Sequence, residues 1–244
     1  MPRFFVDAPL ALNACVELPP AARRHAINVL RLRPGALITL FNGHGGEFHG
    51  ELLRAEPGQA LVRLDAFLDP AAELPFTVTI VQGLPGADKM DWVVEKAVEL
   101  GAFDLQPLAM ERCVVRLAGE RAARRRDHWQ AIARSAAEQC GRNRVPAVHG
   151  PLTLEQWLGA LPDADVRLMA CPGTERALAT LAPPLGNARV QLVVGPEGGL
   201  SERESAALAA LGFAAVSLGP RVLRTETAAL AALAVLACAW APGS

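Results

Sequence analysis

The sequence predicts an α/β protein in two parts, a small β-barrel followed by a larger domain whose sheet is mainly parallel. Short strand-like segments with glycine and proline turns fill residues 1–67, a proline-flanked polar stretch follows at Asp69–Pro75, and apolar runs then alternate with helical segments. We therefore expect one domain over residues 1–72 and a second over residues 73–244. The 244 residues, of which 51% are hydrophobic, suffice for a sizeable core and exclude a disordered chain.

Four strands are predicted in the first part, separated by turn pairs such as Asn42-Gly43. They are Phe4–Val6, Ala36–Phe41, Glu47–Leu53 and Ala60–Leu64. One helix is expected over Ala21–Leu32, where the apolar residues Ala26, Val29 and Leu30 keep a helical spacing. Short strands of this kind are expected to close into a small barrel.

Five short apolar runs in the second part are typical of strands that are buried on both faces of a parallel sheet. They are Phe76–Val81, Phe103–Leu108, Val166–Ala170, Val190–Val194 and Ala214–Leu218. Helices are expected between them, and the first spans Lys89–Leu100, with Asp88 as its N-cap and Gly101 just after its C-cap. Strands that alternate with helices predict helices on both faces of the sheet.

The cysteine pattern and the apolar runs exclude several classes of protein. The five cysteines contain no C-x-x-C pair, which is typical of reduced thiols in a cytosolic protein and supports neither a zinc site nor a disulfide framework. Residues 1–12 lack the apolar run of an export signal, and the uncharged run Thr227–Ser244 is too short to span a bilayer. We expect a cytoplasmic protein that binds no metal and no membrane.

Positive charge is concentrated in the middle of the chain, although the formal net charge is only −1. Residues 112–144 contain nine arginines and three acidic residues, whereas the segments before and after them are both net acidic. Arginine presents a planar fork of donors that binds phosphate oxygens bidentately and also stacks on bases. The window is therefore a candidate RNA-binding segment, with a solvated helix face as the alternative.

The first loop that could bind a ligand is GPEGG at residues 195–199, which follows a predicted strand. Its three glycines let a ligand approach the backbone closely. Ser201 and Glu204 then have the spacing of a capping box, which predicts that a helix begins there. Loops at the carboxyl ends of parallel strands bind ligands, so this loop is a candidate binding site.

The second loop is LGPRVLRTETA at residues 218–228, just before the apolar helix at the end of the sequence. Gly219-Pro220 predicts a turn, and Thr225 is the expected N-cap of the helix. Arg221, Arg224 and Glu226 crowd together beside a hydrophobic core, which is unusual for charged residues. They either serve a ligand or pair with one another.

These two loops resemble the C-terminal signature of the SPOUT methyltransferases. Further segments resemble one family of that superfamily, the ribosomal RNA small subunit methyltransferase E family. They are HAINVLRLRPG (25–35), KMDWVVEKAVELGA (89–102), ERCVVR (111–116) and SAAEQCGRNRVP (135–146). The resemblance spans nearly the whole chain and implies an S-adenosylmethionine-dependent enzyme that methylates N3 of one uridine in 16S rRNA. It also implies a PUA-like RNA-binding barrel and a C-terminal trefoil knot that holds the cofactor.

The loops, the charge pattern and the resemblance together suggest three groups of site residues. The expected cofactor-binding residues are Met169, Ala170, Val194, Gly195, Pro196, Glu197, Gly198, Gly199, Leu218, Gly219, Val222, Leu223, Arg224, Thr225, Thr227 and Ala228. The candidate catalytic residues are Arg221, Arg224 and Glu226. The expected contacts to 16S rRNA, within the assembled small subunit, are Arg3, Arg23, Arg24, Arg31, Arg33, Arg112, Arg116, Arg124, Arg125, Arg126, Arg142 and Arg144.

Methyl transfer to uridine N3 needs donor and base in near-attack geometry, stabilisation of charge on the uracil oxygens, and an acceptor for the N3 proton. It needs no metal. Arginine meets the second requirement, and a carboxylate or an ordered water meets the third. The loops offer Arg224 with Glu226 and Arg221 with Glu197, and the identity of the proton acceptor stays open.

Three other functions compete with this one. A SPOUT enzyme that acts on a ribose 2′-oxygen or on transfer RNA would share the knot, but HAINVLRLRPG argues against it. A non-catalytic RNA-binding module would leave the two glycine-rich loops unexplained. A nicotinamide oxidoreductase would need the fingerprint G-x-G-x-x-G, which Gln82–Gly86 does not supply.

The last helix, expected over Glu226–Ala241, predicts a homodimer. It is apolar almost all round, with Leu230, Leu236 and Trp240 spread over more than one face. Such a helix must be buried on several sides. SPOUT proteins generally dimerise through the knot region, so the resemblance implies the same arrangement.

Overall fold

The computed structural model describes residues 1–56, 58–70, 72–86 and 88–241, which form two compact units. The first unit comprises Met1–Glu73 together with Ala137–Val145, and the second comprises Leu74–Ala136 together with Pro146–Ser244. The first unit therefore includes a nine-residue segment from the middle of the chain, which we expected in the second domain.

The first unit contains a five-stranded sheet with the order β1-β3-β4-β5-β2. The strands are β1 (Arg3–Phe5), β2 (Cys15–Glu17), β3 (Leu37–Phe41), β4 (Glu47–Glu56) and β5 (Gln59–Leu68). β1 pairs with β3 in parallel, and the other neighbours are antiparallel. All four predicted strands are present, whereas the three-residue strand β2 was not predicted because it is too short to show alternation.

Alternation of buried and exposed residues explains the core of this unit. In β5, Ala60, Val62 and Leu64 are fully buried, and the side chains between them are not. They pack with Phe4, Val6, Leu18, Ile38, Leu40 and Leu52.

The predicted helix over Ala21–Leu32 is wrong in its second half. The chain forms a short helix α1 (Pro20–Arg24) that continues into one turn of π-helix over His25–Val29. Only Ala26 of this π turn is buried, and Val29 is 67% exposed. Val29 and Leu30 are exposed, whereas Ile27 and Leu32 pack partly against the core, and Arg31, with a φ of 53°, ends the helical path.

The segment Ala137–Val145 is joined to the first unit by polar contacts. The Phe5 amide donates a 2.6 Å hydrogen bond to the Glu138 carboxylate, and Arg3 donates to Asn143 Oδ1 over 2.6 Å. Burial raises the pKa of Glu138, although the Phe5 amide opposes this effect. Arg142, only 3% exposed, donates from Nε and Nη2 to the two oxygens of the Glu73 carboxylate.

The second unit contains a seven-stranded sheet in which every described pairing is parallel. Its order is β12-β10-β11-β6-β7-β8, and β9 also pairs with β7. The strands are β6 (Thr77–Gly83), β7 (Asp104–Ala109), β8 (Ala147–Val148), β9 (Leu152–Thr153), β10 (Val166–Ala170), β11 (Arg189–Val194) and β12 (Ala214–Val216). The five predicted strands are confirmed within two residues at each end, and the two-residue strands β8 and β9 were not predicted.

Among the residues that the structure describes, five helices accompany this sheet, with a 3₁₀ turn at Leu178–Thr180. They are α2 (Lys89–Glu99), α3 (Gly119–Cys140), α4 (Leu154–Gly159), α5 (Glu202–Ala210) and α6 (Thr225–Trp240). The last four residues of α3 belong to the first unit. The α/β class with a parallel sheet is thereby confirmed.

Helix α2 shows how local sequence sets its ends. At the C-terminus, the Gly101 amide donates to the Val98 carbonyl and the Ala102 amide donates to the Ala97 carbonyl, while Gly101 has a φ of 92°. This is the glycine C-terminal motif that the sequence predicts. At the N-terminus, Asp88 occupies the predicted N-cap position, although its side chain makes no capping hydrogen bond.

Within the described residues, no helix is long and apolar enough to cross a membrane, and no group of three His, Cys, Asp or Glu side chains lies close enough to hold a metal ion. The five cysteines, Cys15, Cys113, Cys140, Cys171 and Cys238, are all free thiols in the structure.

Candidate functional site

The GPEGG loop and the LGPRVLRTETA loop line a single cavity of about 670 Å³ in the second unit. The first loop follows β11 and the second follows β12, and both strands pair with β10. Since these strands are parallel, their carboxyl ends share one edge of the sheet, and the last residues of all three line the cavity. This position and size are typical of a small-molecule site.

Most residues that we expected to bind the cofactor line this cavity. They are Ala170, Val194, Gly195, Pro196, Glu197, Gly198, Gly199, Leu218, Gly219, Val222, Leu223, Arg224, Thr225 and Ala228. Met169 and Thr227 are not among the lining residues: Met169 is buried inside β10, and the Thr227 side chain is exposed on α6. Of the candidate catalytic residues, Arg221 and Arg224 line the cavity. Glu226 does not, but its Oε2 lies 3.6 Å from Nζ of Lys89, which does.

Sequence reasoning missed several lining residues. They are Lys89, Cys171, Pro172, Leu200, Ser205 and Val216. Cys171 follows β10 directly, and burial raises the pKa of its thiol. Lys89 comes from α2, far away in the sequence, and its presence in the quoted segment KMDWVVEKAVELGA was the only available signal.

Close backbone packing requires glycine at two positions next to the cavity. A Cβ on Gly195 would lie 2.8 Å from the Leu200 amide nitrogen, and a Cβ on Gly83 would lie 2.6 Å from the Pro196 nitrogen. Gly199 instead needs its backbone freedom, because its φ is 70°. The tight path of the loop therefore depends on its glycines.

Arg112 supports the GPEGG loop from outside. Its Nη1 donates to the carbonyls of Gly198, over 2.9 Å, and of Leu200, over 3.2 Å. The Gly198 Cα packs against the aliphatic stem, because a Cβ there would lie 2.9 Å from Arg112 Cβ. Arg112 was expected to contact RNA, but its guanidinium is directed at this loop.

Glu204 forms a second connection between the ERCVVR segment and the region of the GPEGG loop. Its Oε2 accepts from the Ser201 amide and the Ser201 hydroxyl accepts from the Glu204 amide, so the predicted capping box is confirmed. Its Oε1 accepts a 2.8 Å hydrogen bond from the Glu111 amide. The ERCVVR segment thus holds the start of α5 and the loop before it.

Thr225 connects the two loops directly. Its hydroxyl donates to the Gly195 carbonyl over 2.6 Å and accepts from Gln82 Nε2 over 2.8 Å. Thr225 is the first helical residue and Arg224 is the N-cap, so the expectation that Thr225 caps α6 is wrong. Its side chain is used for the contact with Gly195 instead.

Lys89 lies between two carboxylates at the cavity. Its Nζ is 2.8 Å from Glu197 Oε1 and 3.6 Å from Glu226 Oε2. The hydrogen bond to Glu197 raises the pKa of Lys89. Partial burial raises the pKa of Glu197, but hydrogen bonds from Lys89 and from the Gly86 amide outweigh it and leave that pKa below its ordinary value.

Both carboxylates therefore face Lys89 rather than the arginines. Within the described residues, the side chains of Arg221 and Arg224 make no hydrogen bond and no ion pair, and both residues are exposed. Their guanidinium groups remain available at the cavity.

The arginines expected to contact RNA differ in the hydrogen bonds and ion pairs that they make within the protein. Arg3 and Arg142 are largely buried in the polar contacts described above. Arg23 donates to the Gly58 carbonyl and Arg116 to the Met110 carbonyl. Arg124, Arg125 and Arg126 lie near the carboxylates of Glu120, of Asp88 and Asp91, and of Asp127, respectively. Arg24, Arg31, Arg33 and Arg144 are exposed and have no ion pair in the described chain.

Family comparisons agree with this division of the chain. Residues 72–237 match the RNA methyltransferase domain family, and residues 18–65 match the RNA methyltransferase PUA domain family. Ribosomal RNA small subunit methyltransferase E of Bacillus subtilis (strain 168) is 35% identical over 218 residues, which cover 87% of this chain and 85% of that protein.

Two solved structures are similar over 98% of this chain and 98% of their own, each with a TM-score of 0.91. One is a ribosomal RNA small subunit methyltransferase E from Neisseria gonorrhoeae bound to S-adenosyl methionine, at 38% identity. The other is a putative methyltransferase from Legionella pneumophila in complex with the same cofactor, at 35% identity. The chain with this parallel sheet, PUA-like first unit and two-loop cavity belongs to the ribosomal RNA small subunit methyltransferase E family.

Proposed function

We propose that this protein transfers a methyl group from S-adenosylmethionine to N3 of a specific uridine in 16S rRNA of the small ribosomal subunit. The observation that carries the proposal is the cavity formed by both glycine-rich loops at the carboxyl edge of the parallel sheet. Relatives with this architecture are named as rRNA methyltransferases, and two similar structures contain the cofactor.

The residues present fit the cofactor. The cavity of about 670 Å³ lies within the usual range for small-molecule sites, and its walls combine loop backbone with apolar side chains. Leu218, Leu223 and Val194 offer apolar surface to an adenine, and the backbone groups of Gly195–Leu200 offer donors and acceptors. When bound, the cofactor supplies an electrophilic methyl group.

The charged residues of the two loops would then act on the base. Arg221 and Arg224, exposed and without an ion pair in the described chain, would stabilise negative charge that develops on the uracil oxygens. Glu226 is the carboxylate next to them in sequence and would accept the N3 proton. Substrate binding would have to hold N3 in line with the methyl group.

RNA would be bound by the exposed arginines of each unit. In the first unit these are Arg24, Arg31, Arg33 and Arg144, and in the second unit Arg124 and Arg126 are exposed. Arg3, Arg112 and Arg142 would contribute indirectly, since protein groups already engage them.

The finer fold expectations remain part of this proposal. The first domain would close as a PUA-like barrel over residues 1–72, and residues 73–244 would form a SPOUT domain whose end is threaded as a trefoil knot. The protein would act in the cytoplasm on the assembled subunit.

A homodimer is the expected assembly. Much of α6 is buried within its own chain, including Leu230, Leu233, Leu236 and Trp240, whereas Thr227 and Cys238 face solvent. The exposed side of α6 would face a second copy. Sedimentation at micromolar concentration tests this, because a species of 25.8 kDa without self-association would contradict it.

The decisive experiment maps the modified position. The protein is incubated with labelled S-adenosylmethionine and small subunits that lack the modification, and the methylated nucleotide is identified by nuclease digestion and mass spectrometry. We expect a single N3-methyluridine in 16S rRNA. Label on a ribose, or on transfer RNA offered in parallel, would contradict the proposal.

A further inference from the structure

Two side chains of opposite charge lie together on the wall of the cavity. Lys89 is the first residue of α2, Glu197 belongs to the GPEGG loop, and both line the cavity. Lys89 Nζ donates a 2.8 Å hydrogen bond to Glu197 Oε1. The Lys89 side chain is 28% exposed and the Glu197 side chain is 36% exposed, so neither is closed off from a ligand in the cavity.

Protein contacts hold this pair in place without using all of its hydrogen-bonding capacity. The Gly86 amide donates a 2.9 Å hydrogen bond to the same Glu197 Oε1, whereas Oε2 accepts none from another described residue. A lysine ammonium has three donors, and Lys89 uses one of them for Glu197. Its distance of 3.6 Å from Glu226 Oε2 is too long for a hydrogen bond. Donors of Lys89 and an oxygen of Glu197 therefore remain for a ligand.

The pair presents both signs of charge to the cavity. The hydrogen bond to Glu197 raises the pKa of Lys89, and the pKa of Glu197 lies below its ordinary value, so both groups are charged at neutral pH. Arg221 and Arg224 also line the cavity, but neither has an ion pair in the described chain. The arginines therefore offer positive charge alone, whereas Lys89 and Glu197 offer a cation and an anion within 2.8 Å of each other.

The amino-acid end of S-adenosylmethionine has the complementary charges. It carries an α-ammonium and an α-carboxylate on one carbon atom, and a zwitterion of this kind is recognised best by a fixed surface with both charges. The adenine at the other end needs apolar surface instead. The Lys89–Glu197 pair is thus the part of the described cavity wall that suits the amino-acid end.

We infer that Lys89 and Glu197 form the subsite for the amino-acid end of the cofactor, in which Lys89 donates to the α-carboxylate and Glu197 accepts from the α-ammonium. The inference rests on the proposed function, since it takes the ligand to be an S-adenosyl compound. It adds a residue of α2 to a site made otherwise of loops after the strands. It also makes the cavity selective for ligands that carry both charged groups.

The test measures the binding of three ligands by calorimetry at neutral pH. S-adenosylhomocysteine carries both charged groups, its decarboxylated analogue keeps only the amine, and 5′-methylthioadenosine has neither. The parent should bind S-adenosylhomocysteine at least about tenfold more tightly than methylthioadenosine. Equal affinities of the parent for these two ligands would overturn the inference, whatever the variants do.

Lys89→Met should weaken S-adenosylhomocysteine about tenfold, because the α-carboxylate loses its cation. It should not weaken the decarboxylated analogue or methylthioadenosine, since neither carries a carboxylate. Lys96→Met is the matched control: Lys96 lies on the same helix, pairs with Glu95 and Glu99, and does not line the cavity. It should bind all three ligands like the parent.

Glu197→Gln tests the other half of the subsite. It should weaken S-adenosylhomocysteine and the decarboxylated analogue, which both carry the ammonium, and leave methylthioadenosine within about threefold of the parent. An equal loss for all three ligands, in this variant or in Lys89→Met, would show that the pair only supports the GPEGG loop and would overturn the inference. Unchanged binding of S-adenosylhomocysteine by Lys89→Met would overturn it too. If Lys89→Met does not fold, Lys89→Arg must keep the parent's preference for S-adenosylhomocysteine over methylthioadenosine.

These measurements need no RNA, so they separate the inference from the proposed function. A parent that binds the three ligands in the expected order but does not methylate 16S rRNA contradicts the proposed function alone. A parent that methylates 16S rRNA, while Lys89→Met and Glu197→Gln bind every ligand as the parent does, contradicts the inference alone. A parent that binds none of the three ligands contradicts both.

Discussion

Gly198 leaves room for the side chain of Arg112, which packs directly against it. From sequence we explained the glycine by the close approach of a ligand, yet a Cβ added to Gly198 would lie nearest to Arg112 Cβ, at 2.9 Å. The arginine in turn donates to the carbonyls of Gly198 and Leu200. The loop is thus shaped first by a protein contact.

Gly198→Ala should weaken cofactor binding by displacing Arg112 from the loop. A Cβ contact of 2.9 Å is too short for the backbone to accept without a shift, and that shift would strain two charge-assisted hydrogen bonds. Calorimetry with S-adenosylhomocysteine measures the effect. Gly159→Ala is the control, since nothing lies within 4 Å of its added Cβ, and equal affinities in both variants would refute this explanation.

Thr225→Val should destabilise the second unit. The substitution keeps the shape but leaves Gln82 Nε2 with one partner fewer and removes the donor to the buried Gly195 carbonyl, at a cost of about 1–3 kcal/mol. Thr227→Val, two residues along the same helix and exposed, provides the comparison. Denaturant unfolding of both variants should show a loss only for Thr225→Val, and similar losses would point to helix propensity instead.

Individual side chains were the least predictable part of the site. GPEGG and LGPRVLRTETA led to most of the cavity lining because glycine, proline and clustered charge mark loops whatever the rest of the fold. Lys89 and Arg112 could not be assigned in this way, since their partners Glu197 and Gly198 lie 108 and 86 residues further along the chain. Such contacts follow from strand order, which periodicity does not encode.

At the scale of elements, one ionisable pair lies at the edge of the parallel sheet. β8 joins the sheet through β7, and the side chain of His149, just after β8, lies 2.9 Å from Asp104 at the start of β7. The hydrogen bond to Asp104 raises the pKa of His149, although burial opposes it. Both residues lie where β7 and β8 pair.

This pair should make stability depend on pH. Because the pKa of His149 is higher in the folded protein, the pair stabilises fully below the ordinary histidine pKa, and the contribution disappears as pH rises through the raised pKa. Asp104→Asn should therefore lower the melting temperature more at about pH 5.5 than at about pH 9. Asp163→Asn, an exposed acid of the same unit, is the control, and a pH-independent difference for Asp104→Asn would contradict the linkage.

Elements were predicted best where their physical signal is local. The five apolar runs correctly predicted the parallel strands, and the capping box correctly predicted the start of α5. The π turn at His25–Val29 escaped prediction because an apolar spacing that suits an α-helix does not reveal a wider turn. The short strands β2 and β8 escaped prediction because, unlike the three-residue strands β1 and β12, they do not lie in a longer apolar run.

At the scale of the whole molecule, the arginines fall into two groups. In one group a nearby carboxylate already compensates the positive charge, and in the other it does not. Arg24, Arg31 and Arg33 have no ion pair in the part of the chain that the structure describes, whereas Arg124, Arg125 and Arg126 each lie within 4 Å of a carboxylate. Only the first group can bind phosphate without releasing a protein partner.

Replacement of each group by glutamine should therefore affect RNA binding unequally. The triple variant of Arg24, Arg31 and Arg33 should lower the slope of log affinity against log salt by about 0.7 to 0.9 per lost phosphate contact. The triple variant of Arg124, Arg125 and Arg126 should lower it less, and both should bind S-adenosylhomocysteine like the parent. If the second triple has the larger effect, the α3 arginines are the main RNA contacts.

The segment Ala137–Val145 also determines when the first unit can finish folding during synthesis. The Phe5 amide, the Arg3 guanidinium and the Glu73 carboxylate all have partners on residues that are synthesised only after residues 74–136 of the second unit. The first unit is therefore unfinished while residues 74–136 emerge, although N-terminal domains usually fold first. A fragment that ends at residue 72 would lack these partners, so a recombinant RNA-binding unit needs Ala137–Val145 joined to it by a linker.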